Sequence, residues 1–143
     1  MEVSLRNVID EDLPIFFEQQ NDSVANEMAA FPARERDAFM AHWTKIRANT
    51  TGLIKTILYN GQVAGNIVSF DMGGQREVGY WLGREFWGKG IASQALAQFL
   101  TYEVTRPLYG VTVNHNIGSQ NVLKKCGFEY SHEEKEEMFF ILK

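Results

Sequence analysis

The stretch EFWGKGIASQAL, residues 85–96, joins a run typical of a β-strand to a run typical of a buried helix. The helix pattern continues to Val104, with apolar residues at every third or fourth position. Gly88 and Gly90 stand on either side of Lys89 where this helix begins. A helix N-terminus presents unpaired N–H groups, and glycines let an anion approach the backbone, so the segment is a candidate phosphate cradle. A tight strand-to-helix turn would need the same glycines, and the spacing alone leaves both interpretations open.

Strand, turn and helix signals around this stretch predict a mixed α/β sheet. The strand–helix–strand run from 76 to 113 implies one parallel pairing, because a helix joins its two strands. The strongest hairpin signal is Asn60-Gly61, between two apolar runs. The predicted elements are a strand over 2–8, a helix capped by Asp12 and ending near Asn21, a helix over 34–49, three antiparallel strands over 53–83, the helix up to Val104, a strand over 107–113, a helix over 119–126 stopped at Gly127, and strands over 128–132 and 137–143.

Composition and charge limit the class of protein. A chain of 143 residues with 45% hydrophobic and 22% charged residues is ordinary for one globular domain, which we expect to span residues 1–143. The net charge of −4 and the absence of a basic stripe disfavour a nucleic-acid partner. No run is long and apolar enough for a bilayer, and the acidic N-terminus is unlike a signal or transit peptide, so we expect a cytoplasmic protein without a membrane partner. The one cysteine, Cys126, excludes an internal disulfide and a multi-cysteine metal site; we expect no metal, and nothing distinguishes a monomer from a homodimer.

Two familiar phosphate-binding motifs fit residues 83–93 poorly. Gly83-x4-Gly88-Lys89 comes within one residue of a P-loop, but Gly90 stands where a Ser or Thr must bind magnesium. A dinucleotide fingerprint needs a third glycine where Ser93 stands, and the following strand does not end in an acid for a ribose. An NTPase and a nicotinamide-dependent enzyme are therefore both disfavoured.

Two blocks of the sequence resemble motifs of one known family. The run EVGYWLGREFWGKGIASQAL, residues 77–96, resembles motif A of the GNAT family of N-acetyltransferases, whose Gly-x-Gly/Ala core is matched at Gly90 and Ala92. Its closest likeness is to the branch that contains the N-terminal acetyltransferases of ribosomal proteins. The second block is similar to motif B of that branch and reads Asn116-x-x-Ser119-x-x-Val122-Leu123-x-Lys125-x-Gly127-Phe128.

The resemblance implies a fold and an activity. The fold is a mixed, mostly antiparallel sheet of six to seven strands flanked by about four helices, with a splayed pair of central strands. The activity is transfer of an acetyl group from acetyl-CoA to a primary amine, either a protein N-terminus or a small molecule. A non-catalytic acyl-CoA-binding module is the alternative.

Coenzyme A brings a pyrophosphate suited to the glycine turn and an amide-rich pantetheine arm suited to a free strand edge. By resemblance, that edge is the splayed end of the strand around Tyr80. Trp87 departs from the family, because the wider family carries Gln or Arg there. The cofactor-binding residues expected on this basis are Trp81, Leu82, Trp87, Gly88, Lys89, Gly90, Ile91, Ala92, Asn116 and Lys125.

Acyl transfer to an amine needs a base, because an amine is mostly protonated near neutral pH. Glu77 is the candidate catalytic base, since the family often carries an acid just before the splayed part of this strand. A solvent-facing strand glutamate is the plainer interpretation. His115 competes for the role. The stripe of Phe39, Trp43 and Ile46 lines an acceptor cleft or, as is commoner, forms core.

The departing thiolate gains from a proton donor. Many family members use a Tyr seven residues after the motif B asparagine, but Leu123 occupies that position here. Ser119 is the substitute candidate, although Asn116 and Ser119 are favoured as ordinary helix-capping residues. The absence of a tyrosine at 123 is the feature that supports the non-catalytic alternative.

Overall fold

The computed structural model describes residues 2–143, in which seven β-strands form one sheet with five α-helices. None of the helices in this part of the chain is long and apolar enough to cross a bilayer. The elements are β1 (Val3–Arg6), α1 (Asp12–Gln20), α2 (Ser23–Ala29), α3 (Arg36–Ala48), β2 (Leu53–Tyr59), β3 (Gln62–Met72), β4 (Gln75–Leu82), α4 (Ile91–Phe99), β5 (Leu108–Val113), α5 (Ile117–Lys125), β6 (Glu129–Glu134) and β7 (Glu137–Leu142).

The strands lie in the order β1-β2-β3-β4-β5-β7-β6, and each neighbouring pair is antiparallel except β4 and β5. The β2–β3 hairpin turns at Asn60 and Gly61, whose φ angles of 49° and 84° match the primed turn that this dipeptide favours. The predicted mixed, mostly antiparallel sheet is therefore confirmed. The one parallel pair is the pair that the strand–helix–strand run predicts.

The parallel pair separates after three residues. Arg76–Val78 of β4 pair with Leu108–Gly110 of β5, and the register recorded between the two strands ends there. Gly79–Leu82 remain paired with β3 on their other side, and β5 remains paired with β7 along its whole length. A wedge therefore opens in the middle of the sheet, which confirms the expected splay.

Two hydrophobic cores lie on opposite faces of the sheet. The larger core packs α4 against the strands, and Leu96 and Phe99 are fully buried in it. The smaller core packs α1 and α3 against β3, with Phe39 and Trp43 2% and 5% exposed. Phe39 and Trp43 of the α3 stripe therefore form core, as the spacing most often indicates. Together with Ile46 they also line a cleft on this face of the sheet, so both interpretations of the stripe hold.

Asp12 is not the helix cap that the sequence predicts. It is the first residue of α1, and its carboxylate is only 1% exposed. There it accepts hydrogen bonds from Arg6 Nη1 at 2.7 Å, Thr56 Oγ1 at 2.6 Å and the Ile9 N–H at 3.0 Å. Arg6 Nη2 donates to the other carboxylate oxygen at 2.9 Å. The carboxylate therefore ties β1 and β2 to the start of α1, because four donors from three residues converge on it in a buried place.

Helix α4 ends at Phe99, five residues before the predicted end, and Val104 is 73% exposed instead of buried. The cause is Glu103, which is 2% exposed and accepts hydrogen bonds from Arg76 Nε at 2.7 Å and from Ser69 Oγ. A buried carboxylate needs such partners, and reaching them turns the chain off the helix axis. The other predicted boundaries differ from the observed ones by no more than two residues.

Candidate active site

A cleft of about 410 Å³ opens where α4 begins; we call it the α4 cleft. Its lining comes from the turn before α4 and the first residues of that helix, from α2, from the splayed end of β4, and from the start of α5. The glycine turn before α4, which is the candidate phosphate cradle, therefore forms one side of the cleft.

The turn before α4 has the geometry of an anion cradle. Gly88 and Gly90 have φ angles of 74° and 77°, which side chains rarely adopt, and a Cβ on either would meet no atom within 4 Å. The glycines thus meet a conformational requirement and leave open space before their backbone. Gly90 offers no capping side chain, so the N–H groups of the first turn, Ile91–Ser93, remain for a ligand or water. This arrangement fits a bound phosphate group.

Trp87 closes the cleft from the side. Its indole N–H donates to the carbonyl of Leu82 at 3.1 Å, and its side chain stays 36% exposed at the rim. The indole is thus tied to the end of β4. Trp87 shapes the cleft and leaves the cradle to backbone groups.

A second cleft of about 460 Å³ lies against α3, on the face of the smaller core; we call it the α3 cleft. Its walls mix aromatic and aliphatic side chains, and its polar side chains include Gln20, Arg34, His42, Asn66, Glu77 and Glu137. Burial, and to a lesser degree the nearby charge of Glu137, raises the pKa of Glu77. The side-chain oxygen of Gln20 is buried and finds no hydrogen-bond partner among residues 2–143.

The two clefts meet at the splay of β4 and β5. The residues that line both are Ala29, Tyr80, Trp81, Asn116 and Ser119. A group held in one cleft can therefore touch a group held in the other, through the gap that the separated strands leave.

Hydrogen bonds fix the side chains at this junction. The Tyr80 and Ser119 hydroxyls lie 3.0 Å apart, and the Asn116 side chain accepts from the Ser119 N–H at 3.2 Å, so Asn116 caps α5 as its sequence suggests. The Trp81 indole N–H donates to the Gln19 carbonyl at 3.1 Å, which holds α1 against β4. Burial raises the pKa of Tyr80, so its phenol keeps its proton.

Most of the predicted site residues come together in the α4 cleft: Trp81, Leu82, Trp87, Gly88, Gly90, Ile91, Ala92, Asn116 and Ser119. Glu77 lies in the α3 cleft instead. Lys89 and Lys125 are exposed and belong to neither lining. His115 also lies outside both linings, and its Nε2 is 3.2 Å from the Glu27 carbonyl oxygen in α2. Among residues 2–143 no group of three His, Cys, Asp or Glu side chains is arranged to hold a metal ion.

Sequence reasoning missed helix α2 and the hydroxyl of Tyr80. Helix α2 carries Ala25, Met28 and Ala29 into the α4 cleft. Its one clear signal is Asp22, which accepts from the Val24 N–H at 3.0 Å as an N-cap residue does. Tyr80 stands inside motif A, but only the packing of α5 against β4 brings its hydroxyl to Ser119.

Comparison with known proteins shows the family. Residues 2–129 match the family model described as an acetyltransferase (GNAT) domain. The chain therefore belongs to the GNAT acetyltransferase family.

Three individual proteins that resemble this chain share at most about a third of the aligned sequence with it. YdaF of Bacillus subtilis (strain 168), provisionally named a ribosomal N-acetyltransferase, is 31% identical over 70 residues, 47% of this chain and only 38% of that relative's length. A phosphinothricin acetyltransferase from Sinorhizobium meliloti, solved with acetyl-CoA, has a TM-score of 0.82 at 18% identity, over 99% of this chain and 88% of that one. RimL, a ribosomal L7/L12 alpha-N-protein acetyltransferase solved with coenzyme A, has a TM-score of 0.80 at 17% identity. The match covers 97% of this chain and 92% of the RimL chain. At these identities the structural likeness shows the fold.

Proposed function

We propose that this protein transfers the acetyl group of acetyl-CoA to a primary amine. The α4 cleft is the donor site, and the α3 cleft is the acceptor site. The observation that carries this proposal is that five residues at the splay line both clefts, so a thioester and an amine can meet there. Holding two reactants at contact distance is itself a large part of catalysis.

The donor site uses backbone groups more than side chains. The N–H groups of residues 88–92 bind the pyrophosphate at the positive end of α4. The free edge of Gly79–Leu82 offers N–H and C=O groups to the pantetheine amides, as a sheet edge does to an added strand. Lys89 and Lys125 are exposed outside the lining, where they add positive charge that favours an anionic ligand. Coenzyme A supplies the activated acyl group as a thioester.

The acceptor site attracts and deprotonates an amine. Glu77 and Glu137 place two carboxylates in the α3 cleft against one guanidinium, that of Arg34, and the excess of carboxylates favours an ammonium group. The raised pKa of Glu77 makes its carboxylate a better base near neutral pH than an ordinary glutamate. Glu77 precedes Tyr80 by three residues of strand, about 10 Å, so it accepts the proton through water.

Ser119 donates to the departing sulfur. Capping of α5 uses the Asn116 side chain and the backbone N–H of Ser119, which leaves the Ser119 hydroxyl available at the junction. The capping and catalytic interpretations are therefore compatible. Leu123 cannot donate a proton; it is 5% exposed and packs against Gly110.

The acceptor we favour is the N-terminal amine of a protein. Two of the similar proteins carry names that specify ribosomal substrates, which supports this choice. A small-molecule amine is the second candidate, supported by the likeness to a phosphinothricin acetyltransferase. The non-catalytic acyl-CoA-binding module stays as the alternative because position 123 lacks a proton donor.

The test measures free thiol released from acetyl-CoA by the purified protein. One reaction contains peptides with varied N-termini, a second contains polyamines and amino sugars, and a third contains no acceptor. We expect release above the acceptor-free rate with the peptides. Release with the second pool alone would assign a small-molecule acceptor, and release with neither, despite tight acetyl-CoA binding, would favour the binding module.

A further inference from the structure

We propose that Tyr80 is a positioning residue: its hydroxyl holds the Ser119 hydroxyl so that the Ser119 proton points into the junction of the two clefts, towards the departing sulfur. This inference rests on the proposed function. It assigns to a residue of β4 the task of orienting the Ser119 hydroxyl, which no other residue of motif B in α5 performs.

The position of Tyr80 follows from the splay. It is the second residue after Val78, where the pairing of β4 with β5 ends. Its side chain lies on the same face as Val78 and Leu82, because strand residues alternate. There it packs against the larger core and reaches α5, with its hydroxyl 3.0 Å from Ser119 Oγ. Within residues 2–143, Tyr80 is the one side chain at hydrogen-bonding distance from this oxygen.

The direction of this hydrogen bond follows from acidity. A phenol is a stronger acid, and so a stronger donor, than an alkyl alcohol. Burial keeps the Tyr80 phenol protonated. Tyr80 therefore donates to Ser119 Oγ, which leaves the Ser119 proton free and polarises its O–H bond.

Without this bond, the Ser119 hydroxyl is free to rotate about its Cβ–Oγ bond. Ser119 lies in the first turn of α5, and the residue four positions earlier precedes the helix, so the usual hydrogen bond of a helical serine to that carbonyl does not replace the bond to Tyr80. The Ser119 proton would then point towards the junction only part of the time. The phenol of Tyr80 occupies the acceptor lone pair of Ser119 and favours that direction.

The chemistry balances without an added reagent. The C–N bond forms as the C–S bond breaks, and the electron pair of the broken bond stays on sulfur. Ser119 donates a hydrogen bond to that anion, which stabilises the thiolate relative to the thiol. The proton that the nitrogen loses passes through water to Glu77, and the sulfur takes one from water when it leaves.

A binding measurement tests the pair without turnover. The dissociation constants of coenzyme A and of S-methyl coenzyme A are measured from pH 6 to 10 through quenching of tryptophan fluorescence. Their ratio isolates the titration of the thiol. We expect the pKa of the bound thiol to lie below that of free coenzyme A titrated in the same buffers, because hydrogen-bond donors favour the anion. Y80F should raise the pKa of the bound thiol towards the free value, S119A should do the same, and the double variant should raise it no further than either single variant.

Kinetics then separate positioning from simple packing. We expect Y80F to lower kcat about tenfold while the KM for acetyl-CoA stays within about twofold, the size expected for one hydrogen bond. In the S119A background Y80F should have no further effect, because Tyr80 acts through Ser119. Y102F is the matched control, since Tyr102 is 51% exposed and lies outside both clefts.

Two results would overturn the proposal: an unchanged thiol pKa in Y80F, or an equal loss of kcat in both backgrounds. A wild-type protein that transfers no acetyl group to any acceptor would instead overturn the proposed function. The thiol pKa still reports on Tyr80 in that case.

Discussion

Replacing Gly90 by alanine tests whether the glycine turn binds a ligand or only allows the chain to turn from strand to helix. Its φ of 77° lies in the left-handed region, and a Cβ would meet no atom within 4 Å. The cost to stability is therefore conformational, roughly 1–2 kcal/mol. For a chain of this size that lowers Tm by about 3–8 °C.

Gly61 provides a matched control for that substitution. It has a φ of 84° and equally open surroundings, but it lies in the β2–β3 hairpin and lines neither cleft. We expect G61A and G90A to lower Tm by similar amounts. Only G90A should also weaken acetyl-CoA binding, about 10- to 100-fold, because it displaces at least one N–H group from a charged phosphate.

The assay pairs thermal melting with calorimetric titration of acetyl-CoA for both variants. If G90A is destabilised like G61A but binds acetyl-CoA as tightly as the wild type, the glycines are needed only for the backbone conformation of the turn. That result would refute the claim that this turn binds a phosphate of acetyl-CoA.

Three further predictions concern other parts of the molecule. E77Q should lower kcat/KM and remove the acidic limb of its pH profile, since a base with a raised pKa becomes protonated as the pH falls from neutrality; an unchanged profile would exclude Glu77. E103Q should lower the free energy of unfolding near neutral pH by about 2–3 kcal/mol, because its charged bond to Arg76 is lost. The pKa of Glu103 is lower in the folded protein than its unfolded value of about 4.3. The stabilisation is therefore complete above the unfolded pKa and is lost as the pH falls through the folded pKa. Urea titrations should accordingly show the stabilities of E103Q and wild type converging in acid. L123Y should cost about 1–3 kcal/mol of stability without raising kcat, because Leu123 already packs against Gly110; a variant that gains turnover would contradict this.

Local signals in the sequence predicted much of the sheet. Asn60-Gly61 sets the β2–β3 hairpin through its backbone angles alone, so no distant contact was needed to place it. The helix after Gly90 begins where the pattern predicts for the same kind of reason. The approximate ends of most other elements follow from apolar periodicity.

The errors arise where a distant partner decides. Asp12 looks like a cap in sequence, but Arg6 and Thr56 capture its carboxylate across the sheet. Helix α4 stops early because Glu103 is drawn to Arg76, and no local pattern in 100–104 reveals that partner. Tertiary contacts therefore overrode local propensity in both places.

The candidate site divides in the same way. The backbone cradle was found because glycines at a helix start have a local physical meaning. The hydrogen bond that joins β4 to α5 is made by Tyr80 and Ser119, two residues 39 positions apart in sequence, so it became visible only in the folded chain. The placement of Glu77 in a different cleft from the cradle likewise depends on which face of β4 each residue occupies.

The most direct test of the central claim is mass spectrometry of a peptide acceptor that carries both a free N-terminal amine and a lysine side chain, incubated with acetyl-CoA and the wild-type protein. We predict one acetyl group, on the N-terminal nitrogen, and no gain with a peptide whose N-terminus is blocked. Acetylation of the lysine alone would contradict the assigned acceptor. No acetyl group on any peptide or small amine would contradict the claim that the two clefts meet to transfer one.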